Sequence, residues 1–180
     1  MRQISKYKWF KLCSFLVGTI LFVFLDQVTK QLAVQYLKNT PAVPILPEIF
    51  ELSYLENHGA AFGILQGQKT FLVIITGLTM AFLIYVYFCI PEKKRYASLH
   101  LLLILIVSGA VGNFIDRCAN DYVVDFFYFK LIDFPVFNVA DIYVTVSTCL
   151  LIVLFCFYYK EEDVNLMYGR LLFWKKKEDL

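Results

Sequence analysis

Residues 70–90 read TFLVIITGLTMAFLIYVYFCI and contain no charged side chain. A helix needs about 20 mostly apolar residues to cross the hydrocarbon core of a bilayer, so this run predicts a spanning helix. Three further segments of similar length and composition lie at about residues 12–33, 98–115 and 137–159. The sequence therefore predicts an all-α membrane protein with four transmembrane helices.

The composition of the 180 residues supports this class. Hydrophobic residues make up 59% of the chain and charged residues 18%, against roughly 45–50% and 25% in soluble domains. Such a composition excludes intrinsic disorder, which needs low hydrophobicity and high net charge, and argues against a soluble enzyme. The five cysteines form no C-x-x-C motif, so neither a disulfide scaffold nor a metal site is expected.

The basic residues predict an orientation. Twelve Lys and Arg residues lie before the first span, between the second and third, or after the fourth, whereas four lie in the other two connections. Because cytoplasmic loops are enriched in basic residues, we expect both termini in the cytoplasm and residues 34–69 and 116–136 outside. Basic residues placed beside apolar spans are a topology signal, so no nucleic-acid partner is expected.

The sequence also suggests two regions. Residues 1–160 are expected to form a four-helix membrane-embedded domain, and residues 161–180, which carry mixed charge, a charged and solvated cytoplasmic tail. The first outward connection contains IFELSYLENHGAAFGIL at residues 49–65, a mostly apolar stretch with a strand-like pattern. We expect it to form a small extracytoplasmic β-rich cradle that lies on the membrane or covers a site.

Polar residues cluster at the outward ends of these elements. An ionisable group inside a span is costly and is therefore a functional candidate. Each cluster also has a structural interpretation, such as an ion pair within a helix between residues four apart or between the neighbours Asp116 and Arg117. Because the clusters share one membrane depth, we favour a common site. Its candidates are Asp26, Lys30, Asn57, Gly59, Asn113, Asp116, Arg117, Asp125, Asn138 and Asp141.

These residue types limit the possible chemistry. The chain has no HExxH motif and no phosphate-binding loop, and no serine has an obvious histidine partner. Two nearby carboxylates cannot both ionise easily, so one can act as a general base on water while the other keeps its proton. This is the arrangement of an aspartic protease.

The candidate residues lie in five short motifs between residues 26 and 141. The motifs are Asp26-x-x-Thr29-Lys30, Asn57-x-Gly59-Ala60-Ala61-Phe62-Gly63, Gly112-Asn113-x-Ile115-Asp116-Arg117, Val123-Val124-Asp125-Phe126 and Phe137-Asn138-x-Ala140-Asp141. In order and spacing they resemble those of the lipoprotein signal peptidases, or signal peptidase II, of bacterial cytoplasmic membranes. Ser108 stands where the family usually has Gly, a change small enough to preserve close packing.

The resemblance implies a membrane aspartic endopeptidase. Its substrate would be a diacylglyceryl-modified prolipoprotein, cut just before the lipid-modified Cys, and its catalytic pair would be Asp125 and Asp141. Asp116 is the competing carboxylate, and we expect Arg117 to hold it ionised in a supporting role. The family needs no metal or organic cofactor, contacts membrane lipid, and is inhibited by the cyclic peptide globomycin. We expect a monomer in the inner membrane, with its active site near the outer face.

Two other classes remain possible on sequence alone. A small proton-coupled transporter could use Asp26, Asp125 and Asp141 as a relay, although such sites lie near the membrane midplane and often between internal repeats. A non-catalytic membrane adaptor is the other alternative. Loss of peptide cleavage on Asp→Asn substitution would distinguish the protease from both.

Overall fold

The computed structural model describes residues 2–60 and 64–172, with side chains from residue 8 onward. Within these ranges, four helices are long and apolar enough to cross a membrane. They are α1 (Arg2–Leu37), α2 (Lys69–Cys89), α3 (Ala97–Asn120) and α4 (Val139–Val153), which a π-helical segment (Leu154–Tyr158) extends. The prediction of four membrane helices is confirmed, with α1 and α3 longer than expected.

Helix α3 lies at the centre of the bundle and packs against α1, α2 and α4. Small residues allow this close packing. A Cβ added at Gly109 would meet the carbonyl oxygen of Ala140 and lie 2.8 Å from Cγ2 of Val144 on α4. Ser108 is fully buried and donates its hydroxyl to the carbonyl of Ile104 at 2.6 Å. The serine therefore fits at this close contact.

A three-stranded antiparallel sheet covers one end of the bundle, which we call the sheet end. It contains β1 (Val43–Leu46), β2 (Phe50–Asn57) and β3 (Val123–Tyr128), in that order. Side chains alternate between the two faces of a strand. Val124 and Phe126 of β3 pack on Ala33 and Leu37 of α1, so the intervening Asp125 points to the opposite face. The predicted β-rich connection is confirmed.

The opposite end of the bundle carries a fifth helix. At this end a short 3₁₀ turn (Lys94–Tyr96) connects α2 to α3. After α4, the chain forms α5 (Glu161–Leu171). Asp163 and Met167 of α5 are buried. This differs from the solvated tail expected over residues 161–180, because Asp163 is bound by the partly exposed Arg95 guanidinium and the buried Tyr96 hydroxyl. Residues 173–180 of that tail lie outside the described residues.

Candidate active site

Asp125 is placed by the pairing of β2 with β3. Its side chain is 1% exposed. Asn57 lies opposite Val123 in the antiparallel register, two residues from Asp125, so the two polar side chains share one face of the sheet. The Asn57 amide donates to Oδ2 of Asp125 at 2.9 Å. The sheet thereby positions a buried carboxyl group, that of Asp125, beside a hydrogen-bond donor, the Asn57 amide.

Asp141 is placed by the start of α4. Asn138 is the N-cap, and its side chain accepts a hydrogen bond from the backbone N–H of Asp141 at 3.0 Å. In return, Oδ2 of Asp141 accepts from the backbone N–H of Asn138 at 3.1 Å. This reciprocal capping box fixes the helix start. It also sets the carboxylate at the positive end of the helix dipole.

Two side-chain amides connect the carboxyl groups of Asp125 and Asp141. The Nδ2 of Asn138 donates to Oδ1 of Asp125 at 2.6 Å and to Oδ1 of Asn113 at 3.1 Å. The Nδ2 of Asn113 then donates to Oδ1 of Asp141 at 2.8 Å. Asn113 and Asn138 therefore hold the two aspartates in a fixed relative position.

The environment of Asp125 favours its protonated form. Burial, together with the negative charge of Asp141, raises the pKa of Asp125 to about 7. The hydrogen bonds that it accepts from Asn57 and Asn138 oppose this rise without reversing it. At neutral pH the pair can therefore carry one proton on Asp125 beside the carboxylate of Asp141.

A buried ionic cluster contacts Asn113, which in turn binds Asp141. Nζ of Lys30 lies 3.0 Å from Oδ2 of Asp26 and 2.9 Å from Oδ2 of Asp116, and the three residues are at most 3% exposed. The same ammonium donates to Oδ1 of Asn113 at 2.8 Å. Asp26 also accepts the backbone N–H of Ala140 at 2.9 Å. The cluster thus connects α1 to α3 and to the first turn of α4.

The predicted pairing of Asp116 with Arg117 is wrong. Asp116 instead pairs with Lys30, while Arg117 donates to the carbonyl oxygens of Gly59 at 2.9 Å and Asn113 at 3.4 Å. Consecutive residues on a helix point in different directions, so the two side chains do not face each other. The Asp26–Lys30 ion pair predicted from spacing is confirmed.

A cavity of about 1090 Å³ opens beside the pair. It lies between α2 and α4, with α3 as its floor, and its charged lining is concentrated at the sheet end. Asn57, Asn113, Arg117, Asp125 and Asp141 all line it there. Farther along the helices its lining includes Leu83, Ile106 and Val146. Among the described residues, no group of three or more His, Cys, Asp or Glu side chains is placed to hold a metal ion.

Comparison with known proteins places this chain in a family. The family model described as "Signal peptidase (SPase) II" matches residues 18–157. The chain belongs to the signal peptidase II family. Membership makes it a protease and removes the transporter and adaptor alternatives.

Curated relatives and solved structures of similar proteins agree with this family. Lipoprotein signal peptidases of Streptococcus pyogenes serotypes M5 (strain Manfredo) and M18 (strain MGAS8232) are each 44% identical over 149 residues, covering 83% of this chain and 95% of theirs. A bacterial membrane enzyme solved in meso at 2.3 Å resolution superposes with a TM-score of 0.71 and 32% identity, covering 82% of this chain and 92% of that one. A second, at 1.9 Å, gives a TM-score of 0.68, 32% identity and coverages of 81% and 94%.

The structure brings the predicted site residues of this signal peptidase II together. Asp125, Asp141, Asn57, Asn113 and Asn138 form the hydrogen-bonded group, and Gly59 reaches it through Arg117. A Cβ at Gly59 would lie 2.7 Å from the carbonyl oxygen of Ile64, so the turn needs glycine there. The other members, Asp26, Lys30, Asp116 and Arg117, surround this group.

Sequence reasoning missed the role of Gln27. Its amide donates to Oδ1 of Asp116 at 2.9 Å and to the carbonyl of Gly112 at 3.3 Å, so it connects α1 with α3. Gln27 is a polar residue in an apolar span, which was a usable signal. Its direction toward α3 depends on helix packing, which the spacing of residues in one helix does not determine.

Proposed function

We propose that this chain is an aspartic endopeptidase that removes signal peptides from bacterial prolipoproteins. The substrate carries a diacylglyceryl group on a Cys, and the enzyme cleaves just before that Cys. One observation carries the proposal: Asp125 and Asp141 are joined through Asn113 and Asn138 at the charged end of a cavity whose lining between the helices is uncharged and mostly apolar. The names of the curated relatives support the same substrate.

The first chemical step is addition of water to the scissile carbonyl. The Asp141 carboxylate takes a proton from the water as its oxygen attacks the carbonyl carbon. Protonated Asp125 donates its hydrogen to the carbonyl oxygen, so that the tetrahedral intermediate carries no net negative charge. Because the pKa of Asp125 is raised to about 7, a large share of this carboxyl group carries a proton at neutral pH.

The second step breaks the carbon–nitrogen bond. Asp141, now protonated, gives its proton to the leaving amine nitrogen, and Asp125 recovers a proton as the carbonyl reforms. The products are a carboxylic acid at the signal peptide and a free amine at the lipid-modified Cys. The pair returns to its starting state with one proton.

The remaining predicted site residues act in support of the pair. Lys30 pairs with both Asp26 and Asp116 and fixes the amide of Asn113, whose Oδ1 accepts from both Lys30 and Asn138. Asn57 and Arg117 lie at the cavity wall beside the pair, where they can hold the substrate backbone or the lipid head. We assign Asp116 a positioning role because its carboxylate is already engaged by Lys30.

The proposed setting is the bacterial inner membrane, with both termini in the cytoplasm and the sheet end at the outer face. The biased distribution of Lys and Arg supports this orientation. Membrane lipid anchors the diacylglyceryl chains at the depth of the pair, which raises local concentration and limits orientation. No metal or cofactor takes part in the proposed reaction. A globomycin-type cyclic peptide would occupy the same cavity, and the enzyme would act as a monomer.

Cleavage of a lipid-modified substrate tests the proposed specificity. Purified protein is mixed with a diacylglyceryl-modified prolipoprotein, with the same protein lacking the lipid, and with a Cys→Ser version, and cleavage is followed by gel shift. We expect cleavage of the modified protein alone, with a new N-terminus at the modified Cys. Equal cleavage of the unmodified proteins, or a cut elsewhere, would overturn the proposal.

A further inference from the structure

Two cavities lie between the helices, one at the active site and one nearer the opposite end of the bundle. A second, smaller cavity of about 270 Å³ is lined by Val86 of α2, Leu103 of α3 and Leu151 of α4. These residues lie about one helical turn beyond Leu83, Ile106 and Val146, which line the first cavity. The two cavities therefore lie in line between α2 and α4, with α3 beneath them, and we call the two together the crevice.

Helix α5 forms the end wall of this crevice. Val164, Met167, Tyr168 and Leu171 line the second cavity together with residues of the three spans. The residues 18–157 that match the family model end before α5 begins at Glu161. The wall is therefore built by a part of the chain outside the matched region.

Hydrogen bonds fix α5 to the bundle at both of its ends. Near its start, Asp163 accepts from the Arg95 guanidinium at 2.6–2.9 Å and from the Tyr96 hydroxyl at 2.9 Å. Arg95 also donates to the carbonyl of Tyr158, where α4 and its π-helical extension end. Near the end of α5, the carbonyl of Leu171 accepts from the Tyr85 hydroxyl of α2 at 2.7 Å. The helix is thus connected to the helices on both sides of the crevice.

The crevice has the length of a short apolar helix. Asp141 lines its first part and Phe155 its last, and these two positions on one helix are about 21 Å apart at about 1.5 Å per residue. About 14 helical residues span that distance. The apolar region of a secretory signal peptide has about 7–15 residues, so its longest forms would reach α5.

We propose that α5 closes the far end of the substrate crevice and sets an upper limit on the length of the apolar signal-peptide segment that can be seated with its cleavage site at the aspartate pair. The inference rests on the proposed function and adds a specificity element to it. Beyond that limit, seating the segment would require α5 to move or the cleavage site to shift away from the pair.

The test uses substrates of different length and a matched pair of tryptophan variants. Lipid-modified prolipoproteins with apolar segments of about 8, 11, 14 and 17 residues, spaced by about one helical turn, are cleaved by the full-length enzyme. Val164→Trp places a large ring at a cavity-lining position of α5. Leu166→Trp is the control, since Leu166 lies on the same helix, is likewise 39% exposed and does not line the cavity.

We expect the wild-type kcat/KM to fall between the 14- and 17-residue segments. Val164→Trp should lower kcat/KM about tenfold for the 14-residue segment and change it less than about twofold for the 8-residue segment. Val164→Ala should shift the length limit toward longer segments. This variant tests the role of α5 even if the Val164→Trp protein does not fold. Leu166→Trp should keep the wild-type profile.

Two failures are distinguishable. If the wild type cleaves every length equally and both Val164 variants leave the profile unchanged, α5 is not a length limit, while the proposed function stands. If the wild type cleaves none of the lipid-modified substrates, the proposed function itself fails.

Discussion

At the scale of single residues, the proposed mechanism depends on one proton shared by two carboxyl groups. Asp125 is buried on a strand, whereas Asp141 is half-buried at a helix start with backbone N–H groups nearby. Burial and the charge of Asp141 raise the pKa of Asp125 to about 7. The proposed mechanism therefore assigns Asp125 as the proton donor and Asp141 as the base.

The raised pKa of Asp125 predicts the pH dependence of activity. As the pH rises through about 7, Asp125 loses the proton that it must donate. We expect kcat/KM to fall about tenfold per pH unit above that point. The measurement is a pH profile of lipoprotein cleavage, with circular dichroism at each pH to confirm that the helices persist.

Removing a hydrogen-bond partner of Asp125 should change the pH above which kcat/KM falls, which we call the alkaline limb of the profile. Asn57 stabilises the ionised form of Asp125 through its amide, which lowers the pKa of that carboxyl. Asn57→Ala should therefore shift the limb to higher pH, even where the rate is reduced. A limb that stays in place, or moves to lower pH, would show that Asp125 is not the group that titrates.

At the scale of elements, the proposed mechanism gives the start of α4 a part in both stability and catalysis. Asn138 caps the helix through its Oδ1 and supports Asp125 through its Nδ2. Asn138→Ala should lower the free energy of unfolding by about 1 kcal/mol, the usual value of an N-cap, and abolish most activity. Asn138→Ser keeps a capping oxygen but no amide donor. It should regain the stability and not the activity, as thermal melts and cleavage rates on the same samples would show.

The contact of α3 with α4 gives a second prediction at this scale. Gly109→Ala should destabilise the protein by about 1–3 kcal/mol, because the added methyl meets the Ala140 carbonyl and Val144. Gly77→Ala on α2 is the matched control, since its nearest neighbour would be Cε2 of Phe114 at 3.9 Å. Thermal unfolding in detergent compares the two. Equal melting temperatures would contradict the close packing at Gly109.

The sequence predicts these elements better than it predicts their contacts. Hydropathy identifies four spans because lipid requires long apolar helices, and alternation identifies β2 because one face of the strand is covered. The hydrogen bonds from Arg117 to Gly59 and from Gln27 to Asp116 depend on how the helices pack against each other and on the sheet end. The sequence of a single helix does not determine that packing. Helix α5 is missed for a related reason: its mixed charge indicates a solvated tail, and its anchor, Asp163, depends on the distant Arg95.

At the scale of the whole molecule, the orientation follows from charge. We expect the sheet end outside and α5 in the cytoplasm. In a cysteine-free background, Glu48→Cys, in the exposed turn between β1 and β2, should react with a membrane-impermeant maleimide on intact spheroplasts. Glu162→Cys, exposed on α5, should react only after permeabilisation. The reverse labelling pattern would place the aspartate pair at the wrong face for a translocated lipoprotein.

The central claim is that Asp125 and Asp141 together perform the hydrolysis. Single-turnover cleavage of a diacylglyceryl-modified prolipoprotein by Asp125→Asn, Asp141→Asn and Asp116→Asn tests it most directly, with thermal melts showing that each variant is folded. The amide keeps the shape of the side chain but cannot exchange the proton, so we predict at least a roughly 10³-fold loss for the first two variants and residual turnover for the third. A folded Asp125→Asn enzyme that cleaves at the wild-type rate, beside a folded and inactive Asp116→Asn, would contradict the claim and make Asp116 the partner of Asp141.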